Sequence, residues 1–570
     1  MKKKVLSMML LASTLALAAC GGGKDSGGSK GPQDPLDLGP DFDANYYPNK
    51  EDNKVASIVE GVSGKMTIDV ALNWEGTEKA WQVLEKEYER LCGNAVDVKL
   101  ITGLDTAGYT DRLRLEETNT KTTWDIVQGN LMNNLDDHSM NLRNYFYNTN
   151  PYAGNRVWAD VLEESAYNVD GSGSTENTFL LNTENLSTAW FVNTRATTRA
   201  GITDTTPETW EELISMLQSL KNAGYKYPLG LSLTRDSINA SQFAWLLRIY
   251  GDYYYRQQYQ YTSKSYDSVN RVDPNFTYSK TSQNQESSSF YTFSFSRALS
   301  MMLDEECEYY CGPNSDIYKD FVSQFLKLKN YIRPTAYEKS FNEVRESFMA
   351  QQDGNNGDEA PQIMLDYTGS GLAFLNANAL KNNLDFFDYP TMENEYVESG
   401  TLTRDVGGSG GYLSILKYGC NTNNRQLKLN KDFLQFVLSP YGQTLYYQAL
   451  QRNNISPKGL TTVKSNLVVI PDEWSEFFET DKISFTGLAD NNKFINAGVM
   501  SFFNNSNVAS KSVELWQKIF DSRESITVNQ FTFQWFNSLL SNWPTVASEK
   551  GWDQEAYFSR NFNNPNTIPD

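Results

Sequence analysis

The chain has 570 residues, which is enough for more than one domain of ordinary size. With 39% hydrophobic and 21% charged residues, its composition is that of a folded protein and excludes disorder throughout. A formal net charge of −20 disfavours nucleic acid as a partner, and a single histidine, His138, leaves little basis for a histidine-based zinc site or a Ser-His-Asp triad.

Residues 1–19 have the pattern of a secretory signal peptide. Three lysines at positions 2–4 are followed by an apolar stretch, Val5 to Leu17, that is too short to span a bilayer stably. The run Leu-Ala-Ala-Cys-Gly at residues 17–21 resembles the lipobox of bacterial lipoproteins, in which the signal is removed and the cysteine is acylated. We therefore expect Cys20 to carry lipid and to hold the chain on the extracytoplasmic face of the cell membrane.

Residues 20–63 begin with glycine, serine, proline and aspartate, and this composition predicts a flexible tether. Further along the chain, Cys307 and Cys311 are four positions apart, with no histidine or third cysteine nearby to complete a metal site. A local disulfide between them stays open, although a plain structural role is the favoured interpretation.

The folded part begins with an alternation of strands and helices. Apolar residues alternate over 66–72, recur at helical spacing over 80–91, and alternate again over 96–100. A second helix is expected at 112–117 and a third, buried strand at 124–127. This order predicts parallel strands with right-handed crossovers, and ligands of such sheets bind at the carboxyl ends of the strands. The sequence therefore places four residues beside a cleft: Asn73, Trp74, Glu75 and Asn130.

A helix with clear boundary signals follows. Thr206 is the predicted N-cap and Pro207 the predicted first helical residue. Behind them, a stripe of apolar residues at helical spacing ends before a glycine; it comprises Trp210, Leu213, Ile214, Leu217 and Leu220.

These motifs, in this order, resemble the extracellular solute-binding proteins of bacterial ABC importers, in the carbohydrate-binding branch (family 1) that includes maltose-binding protein. The closest match is the run Pro-Glu-Thr-Trp-Glu-Glu-Leu at 207–213. Val192-Asn193-Thr194 and Gly201-Ile202 stand where the family has an aromatic-Asn-Lys segment and a Gly-Leu pair. Further matches are the Asp-Ile-Val at 125–127, the glycine-rich segment 406–411, the Ser-Pro-Tyr-Gly-Gln at 439–443 and the Ile-Ser-Pro at 455–457.

The resemblance implies an α/β, two-lobed fold of the periplasmic-binding-protein type (type II), with the ligand cleft between lobes joined by hinge strands. We expect lobe 1 to comprise 64–185 plus 406–458, and lobe 2 to comprise 186–405 plus 459–570. A Tyr-rich stretch at about 253–291 looks inserted relative to shorter family members. It is either a lid over the cleft or a surface elaboration.

A sugar offers an apolar face to aromatic rings and a ring of hydroxyls to carboxylates and amides. Trp74 and Glu75 are the first candidates of this kind, with packing as the alternative for Trp74 and capping of a turn as the alternative for Asn130. The resemblance adds Asp236 and Trp245 near a loop that often contacts ligand, with a solvated N-cap role as the alternative for Asp236 and core packing as the favoured interpretation of Trp245. It adds Asp366 and Tyr367 as well, at a segment where the family often carries Gly-x-Trp and this chain lacks the tryptophan. Gly408, in a glycine-rich turn, and Trp535, with core packing as its alternative, complete the set.

The function implied is that of a lipoprotein that captures a carbohydrate, in particular an oligosaccharide, and delivers it to an ABC permease with a separate ATPase subunit. No phosphate-binding loop motif occurs in the chain. We expect a monomer that breaks no bond in its ligand and needs no cofactor. The alternatives are a lipid-anchored glycosidase and a surface glycan-docking lipoprotein.

Overall fold

The structure is a computed structural model. The residues that it describes are 58–73, 77–104, 106–118, 123–129, 132, 135–163, 166–167, 178–258, 298, 301–307, 309–351, 359–377, 379–406, 409–417, 424–453, 455–457, 459–471, 506–523 and 525–549. The predicted signal peptide, the lipidated cysteine, the tether up to residue 57 and most of the Tyr-rich stretch lie outside these residues.

Twelve strands lie within the described residues. They are β1 (Met66–Ala71), β2 (Val96–Ile101), β3 (Ile126–Gln128), β4 (Thr149–Asn150), β5 (Arg156–Val157), β6 (Leu181–Leu186), β7 (Thr188–Asn193), β8 (Leu229–Gly230), β9 (Ile363–Tyr367), β10 (Leu384–Phe387), β11 (Ser409–Ile415) and β12 (Gly459–Thr461). The α-helices of the same residues are α1 (Glu78–Leu91), α2 (Thr106–Thr118), α3 (Leu135–His138), α4 (Thr194–Arg199), α5 (Trp210–Asn222), α6 (Arg235–Ala240), α7 (Gln242–Tyr255), α8 (Asp316–Leu326), α9 (Phe341–Ala350), α10 (Ser370–Asn376), α11 (Asn424–Val437), α12 (Pro440–Arg452), α13 (Ser506–Phe520) and α14 (Val528–Glu549).

The first sheet has six strands in the order β12-β6-β11-β3-β1-β2. β1 runs parallel to β2 and β3, whereas β11 is antiparallel to β3 and to β6. Trp81, Leu84 and Tyr88 of α1 share one hydrophobic core with Ile68 and Val70 of β1. The predicted succession of strand, helix, strand, helix and strand is therefore confirmed, because each apolar periodicity marks a face buried in this core.

The second sheet has four strands in the order β10-β7-β9-β8. β9 is antiparallel to β7 and parallel to β8, and β10 is antiparallel to β7. Trp190 and Phe191 of β7 share a second hydrophobic core with Trp210 of α5 and Trp245 of α7. We call the parts of the chain that form the first and second cores the first lobe and the second lobe.

Helix α5 begins later than the sequence predicts. The expected N-cap was Thr206, but the helix starts at Trp210 behind Thr209. The Glu212 backbone N–H donates to the Thr209 hydroxyl at 3.3 Å, and the Thr209 backbone N–H donates to the Glu212 carboxylate at 3.0 Å. This reciprocal capping box satisfies two backbone donors at once, which a cap at Thr206 would not do.

The two sheets are joined where the chain crosses between the lobes. Ser187 alone separates β6 in the first sheet from β7 in the second. The return crossing leads from Asp405, past Val406 in the second core, to β11. The Asp405 carboxylate accepts hydrogen bonds from the Thr188 backbone N–H at 3.2 Å and from the Thr188 hydroxyl at 3.0 Å, so it ties the two crossings together.

The end of the first lobe lies beyond the boundary expected at residue 458. β12 pairs with β6, and the Gly459 backbone N–H donates to the Glu184 carboxylate at 2.7 Å. Val463 and Val468 are buried in the first core. The segment 459–468 therefore lies with the first sheet, because β6 had a free edge there that β12 fills.

The start of the Tyr-rich stretch is also placed by the structure. Tyr253, Tyr254 and Tyr255 are the last residues of α7 and are buried in the second core. Cys307 and Cys311 are buried nearby in the same core and form no disulfide. Of the helices in the described ranges, none has the length and apolar character needed to cross a membrane.

Candidate functional site at the hinge

Strand ends from both lobes meet beside Ser187. In the second sheet, Tyr367 at the end of β9 pairs with Thr188 at the start of β7. In the first sheet, Asn185 near the end of β6 pairs with Leu460 and Ser409. Because β6 runs parallel to β3 and β1, the carboxyl ends of those strands lie at the same edge of the sheet. Strands of both sheets therefore point their carboxyl ends, where ligands of such folds bind, towards the hinge.

Gly369 marks how closely the chain segments pass here. A Cβ atom at Gly369 would lie 1.8 Å from the carbonyl oxygen of Pro457. The Thr368 backbone N–H also donates to the Ser187 carbonyl at 3.0 Å. Only glycine fits where the chain leaving β9 passes the segment that leads into β12.

The first-lobe edge of this region is held by hydrogen bonds of uncharged groups. The Asn73 backbone N–H donates to the Gln128 side-chain carbonyl at 3.3 Å. The Tyr109 hydroxyl donates to the Ala71 carbonyl and accepts from the Gln128 backbone N–H, both at 2.9 Å. The ends of β1 and β3 are thereby fixed to each other, with Asn73 and Gln128 half-buried at the edge.

The second-lobe edge contains a bidentate ion pair. Arg345, on α9, donates from Nε and Nη2 to the two carboxylate oxygens of Asp366, each at 2.6 Å. Asp366 is fully buried, whereas the Arg345 side chain keeps 26% of its surface exposed. Burial raises the pKa of Asp366, and the Arg345 guanidinium opposes that rise. The pair therefore fixes the orientation of the Arg345 guanidinium.

Aromatic rings surround the same guanidinium. The Tyr367 ring lies 4.7 Å from the Trp245 ring and 6.4 Å from the Phe341 ring, between centroids. The Arg345 guanidinium lies 4.5 Å from the Phe341 centroid and 6.0 Å from that of Tyr367. Trp245 is 2% exposed and packs behind Tyr367, which is only half-buried. Tyr367 is thus a supported ring with a partly open surface.

Carboxylates from both lobes act on Tyr367. Burial is the largest cause of the raised pKa of the Tyr367 phenol. The carboxylates of Asp366, Glu184 and Asp236 raise this pKa further, whereas the Arg345 guanidinium lowers it. Glu184 belongs to β6 of the first lobe and Asp236 to α6 of the second. The carboxyl ends of the first-lobe strands and Tyr367 of the second lobe both lie beside the hinge. We call this region the interlobe site, with Asn73 and Gln128 at its first-lobe edge and Arg345, Asp366 and Tyr367 at its second-lobe edge.

The sequence agrees with a family model over most of its folded part. Residues 73–444 match the model of the bacterial extracellular solute-binding proteins, which is more than half of the chain. The chain belongs to this family. Comparison with curated proteins gives no significant match.

Solved structures show the fold of this solute-binding protein. The bacterial solute receptor AcbH, described with an exclusive preference for β-D-galactopyranose, is 13% identical, with a TM-score of 0.51 over 84% of this chain and 99% of its own. The binding protein MsmE of Bacillus subtilis subsp. subtilis str. 168, in an open conformation, is 13% identical, with a TM-score of 0.51 over 86% of this chain and 99% of its own. The expected two-lobed α/β fold of type II is thereby confirmed.

The structure brings together some of the residues that the sequence singled out and not others. Asn73 lies at the first-lobe edge, while Asp236, Trp245, Asp366 and Tyr367 lie at the second-lobe edge. Trp535 is 5% exposed in the core of the second lobe, so core packing is the interpretation that the structure supports. The remaining predicted ligand-binding residues lie outside the described part of the chain; they are Trp74, Glu75, Asn130 and Gly408.

Sequence reasoning missed Arg345, Phe341 and Glu184. A signal for the first two exists, because Ser340 and Glu343 form a capping box that starts α9 and sets Phe341 and Arg345 four positions apart on one helical face. Glu184 lies in a strand with no clean alternation of apolar residues, so the sequence pattern gave no reason to select it. Within the described residues, no three side chains of His, Cys, Asp or Glu are grouped so as to hold a metal ion.

Proposed function

We propose that this solute-binding protein captures a carbohydrate at the interlobe site and delivers it to an ABC permease. The observation that carries the proposal is the half-buried Tyr367 ring, backed by Trp245 and flanked by the fixed Arg345 guanidinium. A supported ring covers the apolar face of a sugar, and nearby N–H groups and carboxylates pair with its hydroxyls. The sugar preference described for AcbH, which shares the fold, agrees with this assignment.

The hydrogen-bonding groups of the site suit hydroxyls. Arg345 has five N–H groups, and its bonds to Asp366 and Asn342 use three of them. Asp236 is exposed and accepts from the Ser241 hydroxyl at 3.3 Å through one oxygen, so its other oxygen is positioned at the surface. The remaining N–H donors of Arg345 thus lie beside the Tyr367 ring, and the Asp236 carboxylate of the same lobe can accept from hydroxyls.

Closure of the lobes is the second part of the proposal. The lobes are 64–185 with 409–468, and 186–406 with the described residues after 505. A ligand that contacts both strand edges binds the closed form more tightly than the open form, and this difference in affinity shifts the protein towards closure. The closed form is the one we expect the permease to recognise, with its ATPase as a separate subunit.

Membrane anchoring through Cys20 completes the proposal. It is supported by the basic and apolar stretches at 2–17 and by the lipobox-like run at 17–21. A Cys20→Ser variant should be released from membranes into the soluble fraction, whereas the unmodified chain should stay with them. Continued membrane association of the variant would contradict lipidation at Cys20.

The test of the proposed function is a ligand screen with the full-length lipoprotein in detergent. Neutral gluco-, galacto- and manno-oligosaccharides of increasing length are added, and thermal unfolding is followed. A sugar at about 100 times its dissociation constant should stabilise the fold by about 2.7 kcal/mol. The sugar is then recovered and analysed by chromatography. Unchanged sugar supports a binding protein, consumed sugar supports the glycosidase alternative, and no shift across the panel contradicts carbohydrate binding.

A further inference from the structure

A cavity of about 180 Å³ lies in the second lobe, at the edge of the second sheet that ends with β8. Its volume is that of about six water molecules, so it suits a small ligand. None of the residues assigned to the interlobe site lines it. We call it the β8 cavity, and it lies among Leu229, Arg333, Lys339, Val344, Ser347 and Pro361.

One part of the wall of the β8 cavity is apolar. Leu229 and Val344 are buried there, and so is Pro361 at the start of the segment that leads into β9. A Cβ atom at Gly230 would lie 2.9 Å from the Cβ atom of Pro361 and 3.0 Å from Cγ1 of Val344, so the wall is closely packed around this glycine. An alkyl group that entered the cavity would leave water for these apolar surfaces, which is favourable.

The polar part of the wall offers hydrogen-bond donors. Within the described residues, Arg333 makes one hydrogen bond, from Nη2 to the Glu359 carbonyl at 2.8 Å, and Lys339 makes one, to the Glu343 carboxylate at 3.0 Å. The ion pair between Arg333 and the Glu359 carboxylate is long, at 3.6 Å, and partly exposed. Because a guanidinium has five N–H groups and an ammonium has three, most of these donors remain for a ligand.

The acid that lines the cavity already has partners. Oε2 of Glu343 accepts from the Ser340 backbone N–H at 2.8 Å and from the Ser340 hydroxyl at 3.0 Å, while Oε1 accepts from Lys339. The same carboxylate is part of the capping box that starts α9. Three of its roughly four acceptor positions are therefore in use. The lining side chains thus favour a ligand that accepts hydrogen bonds over one that donates them.

Backbone hydrogen bonds hold Arg333 beside the cavity. The Leu233 N–H donates to the Ala336 carbonyl at 2.9 Å, and the Ala336 N–H donates to the Arg333 carbonyl at 3.0 Å. These bonds fasten the segment before α9 to the chain that leaves β8. The Arg333 guanidinium lies 5.9 Å from the centroid of the Tyr227 ring, which also lines the cavity. A guanidinium held in this way can pair two parallel N–H groups with a planar carboxylate.

We propose that the β8 cavity binds a short aliphatic carboxylate, with the carboxylate on Arg333 and Lys339 and the alkyl chain against Leu229 and Val344. The site is separate from the carbohydrate site of the proposed function and does not depend on it. Helix α9 serves both sites, because it contributes Val344 and Ser347 to the β8 cavity and a different face, with Arg345, to the interlobe site.

The experiment uses matched pairs of ligands that differ in one charge. Butanoate, pentanoate and hexanoate are each paired with the corresponding primary amide, which has a similar shape and no charge. Binding to the full-length protein in detergent is measured by ligand-observed NMR, with detergent alone as the blank. We expect each carboxylate to bind about tenfold more tightly than its amide, because hydrogen bonds to a charged acceptor are the stronger ones.

Three variants locate the binding. Arg333→Gln removes the guanidinium and should weaken carboxylate binding about tenfold. Arg114→Gln is the matched control, because Arg114 is 60% exposed on α2 and its loss makes the same change in net charge. We expect this control to bind as the wild type does. Ser347→Leu adds bulk at a half-buried position of the wall without changing the charge, so it should weaken the binding of carboxylate and amide alike.

The outcomes separate this inference from the proposed function. Equal affinity for a carboxylate and its amide, or no binding of any carboxylate, would overturn the inference. Unchanged binding in both Arg333→Gln and Ser347→Leu would overturn the assignment to the β8 cavity, as would an equal loss in Arg114→Gln. Tyr367→Ala should leave carboxylate binding unchanged, and a loss there would move the ligand to the interlobe site. Failure of the sugar screen alone would overturn only the proposed function.

Discussion

The first-lobe edge of the interlobe site is built from backbone and amide hydrogen bonds, whereas the second-lobe edge carries charge and aromatic rings. Asn73 and Gln128 represent the first kind of edge, and Arg345, Asp366 and Tyr367 the second. Hydrogen bonds between uncharged groups contribute about 1 kcal/mol each, while breaking a buried ion pair costs several times more. We therefore expect substitutions in the second lobe to have the larger effects on stability and on ligand binding.

The largest effect is expected for Arg345→Met. This change leaves the fully buried Asp366 carboxylate without its cation and should lower the free energy of unfolding by about 3–5 kcal/mol at neutral pH. The loss should shrink in acid, because a protonated Asp366 needs no cation. Asp366→Asn is the matched variant and should cost less, since the remaining Arg345 is partly exposed. Denaturant unfolding at two pH values measures both, and a larger loss for Asp366→Asn would contradict this account.

The next largest effect is expected on the pH dependence of stability, through buried aspartate carboxyls. Burial raises the pKa of Asp405, beside the hinge, and of Asp125, in the first lobe, from 3.8 to about 6 in each case. The folded state then holds the proton more tightly than the unfolded state. The stabilising contribution of each protonated carboxyl is therefore present below about pH 4 and is lost as the pH rises to about 6.

Asp405→Asn should remove that pH dependence at the hinge. Between pH 4 and pH 6, the wild-type free energy of unfolding should fall by about 2 kcal/mol relative to that of the variant. Asp125→Asn is the counterpart in the first lobe and should remove a slope of the same sign. Unfolding curves measured at each pH give the comparison, and parallel pH profiles for the wild type and the Asp405 variant would count against a raised pKa at Asp405.

A smaller effect, on affinity, is expected at Tyr367. Tyr367→Ala removes the supported ring and should weaken sugar binding at least tenfold, which is about 1.4 kcal/mol. Tyr367→Phe should retain most of the affinity, because the ring remains. Tyr147→Ala removes a tyrosine ring that is 64% exposed in the first lobe and serves as the control. Calorimetric titration with the best neutral sugar of the screen decides between these results.

The smallest effect is expected at the first-lobe edge. Gln128→Ala removes the acceptor of the Asn73 backbone N–H and should cost about 1 kcal/mol of stability, because Asn73 is half-buried and water can replace the lost partner. Its effect on sugar affinity should be smaller than that of Tyr367→Ala. If the Gln128 variant lost more affinity than the Tyr367 variant, the two edges would not differ in the way proposed.

The sequence was most informative where structure is local. The alternation over 66–72 and the helical spacing over 80–91 reflect contacts within one strand and one helix, and both elements were predicted. The start of α5 was misplaced by three residues, because Pro207 favours a helix that begins behind Thr206, whereas the reciprocal bonds of Thr209 and Glu212 set the start at Trp210. Element boundaries are decided by such small differences.

The site was predicted less completely because its contacts join distant segments. Asp366 was expected to accept from sugar hydroxyls, and the structure shows its acceptor positions occupied by Arg345, Ser370 and a backbone N–H. The sequence shows an acid next to an aromatic residue but does not show that Arg345, on a helix and twenty-one residues earlier, supplies a guanidinium. Glu184 and Tyr367 belong to strands of different sheets, which the sequence does not show to lie beside the same hinge residue, Ser187.

The one-residue connection at Ser187 has a mechanical consequence. A connection of one residue lets one lobe rotate against the other but allows little separation between them. During such a rotation, the displacement of an atom grows with its distance from Ser187. Tyr367 pairs directly with Thr188 and lies beside the pivot. It should therefore move little when the lobes rotate. A spectroscopic label placed there would report ligand contact, whereas a pair of labels at the far rims of the lobes would report the angle between them.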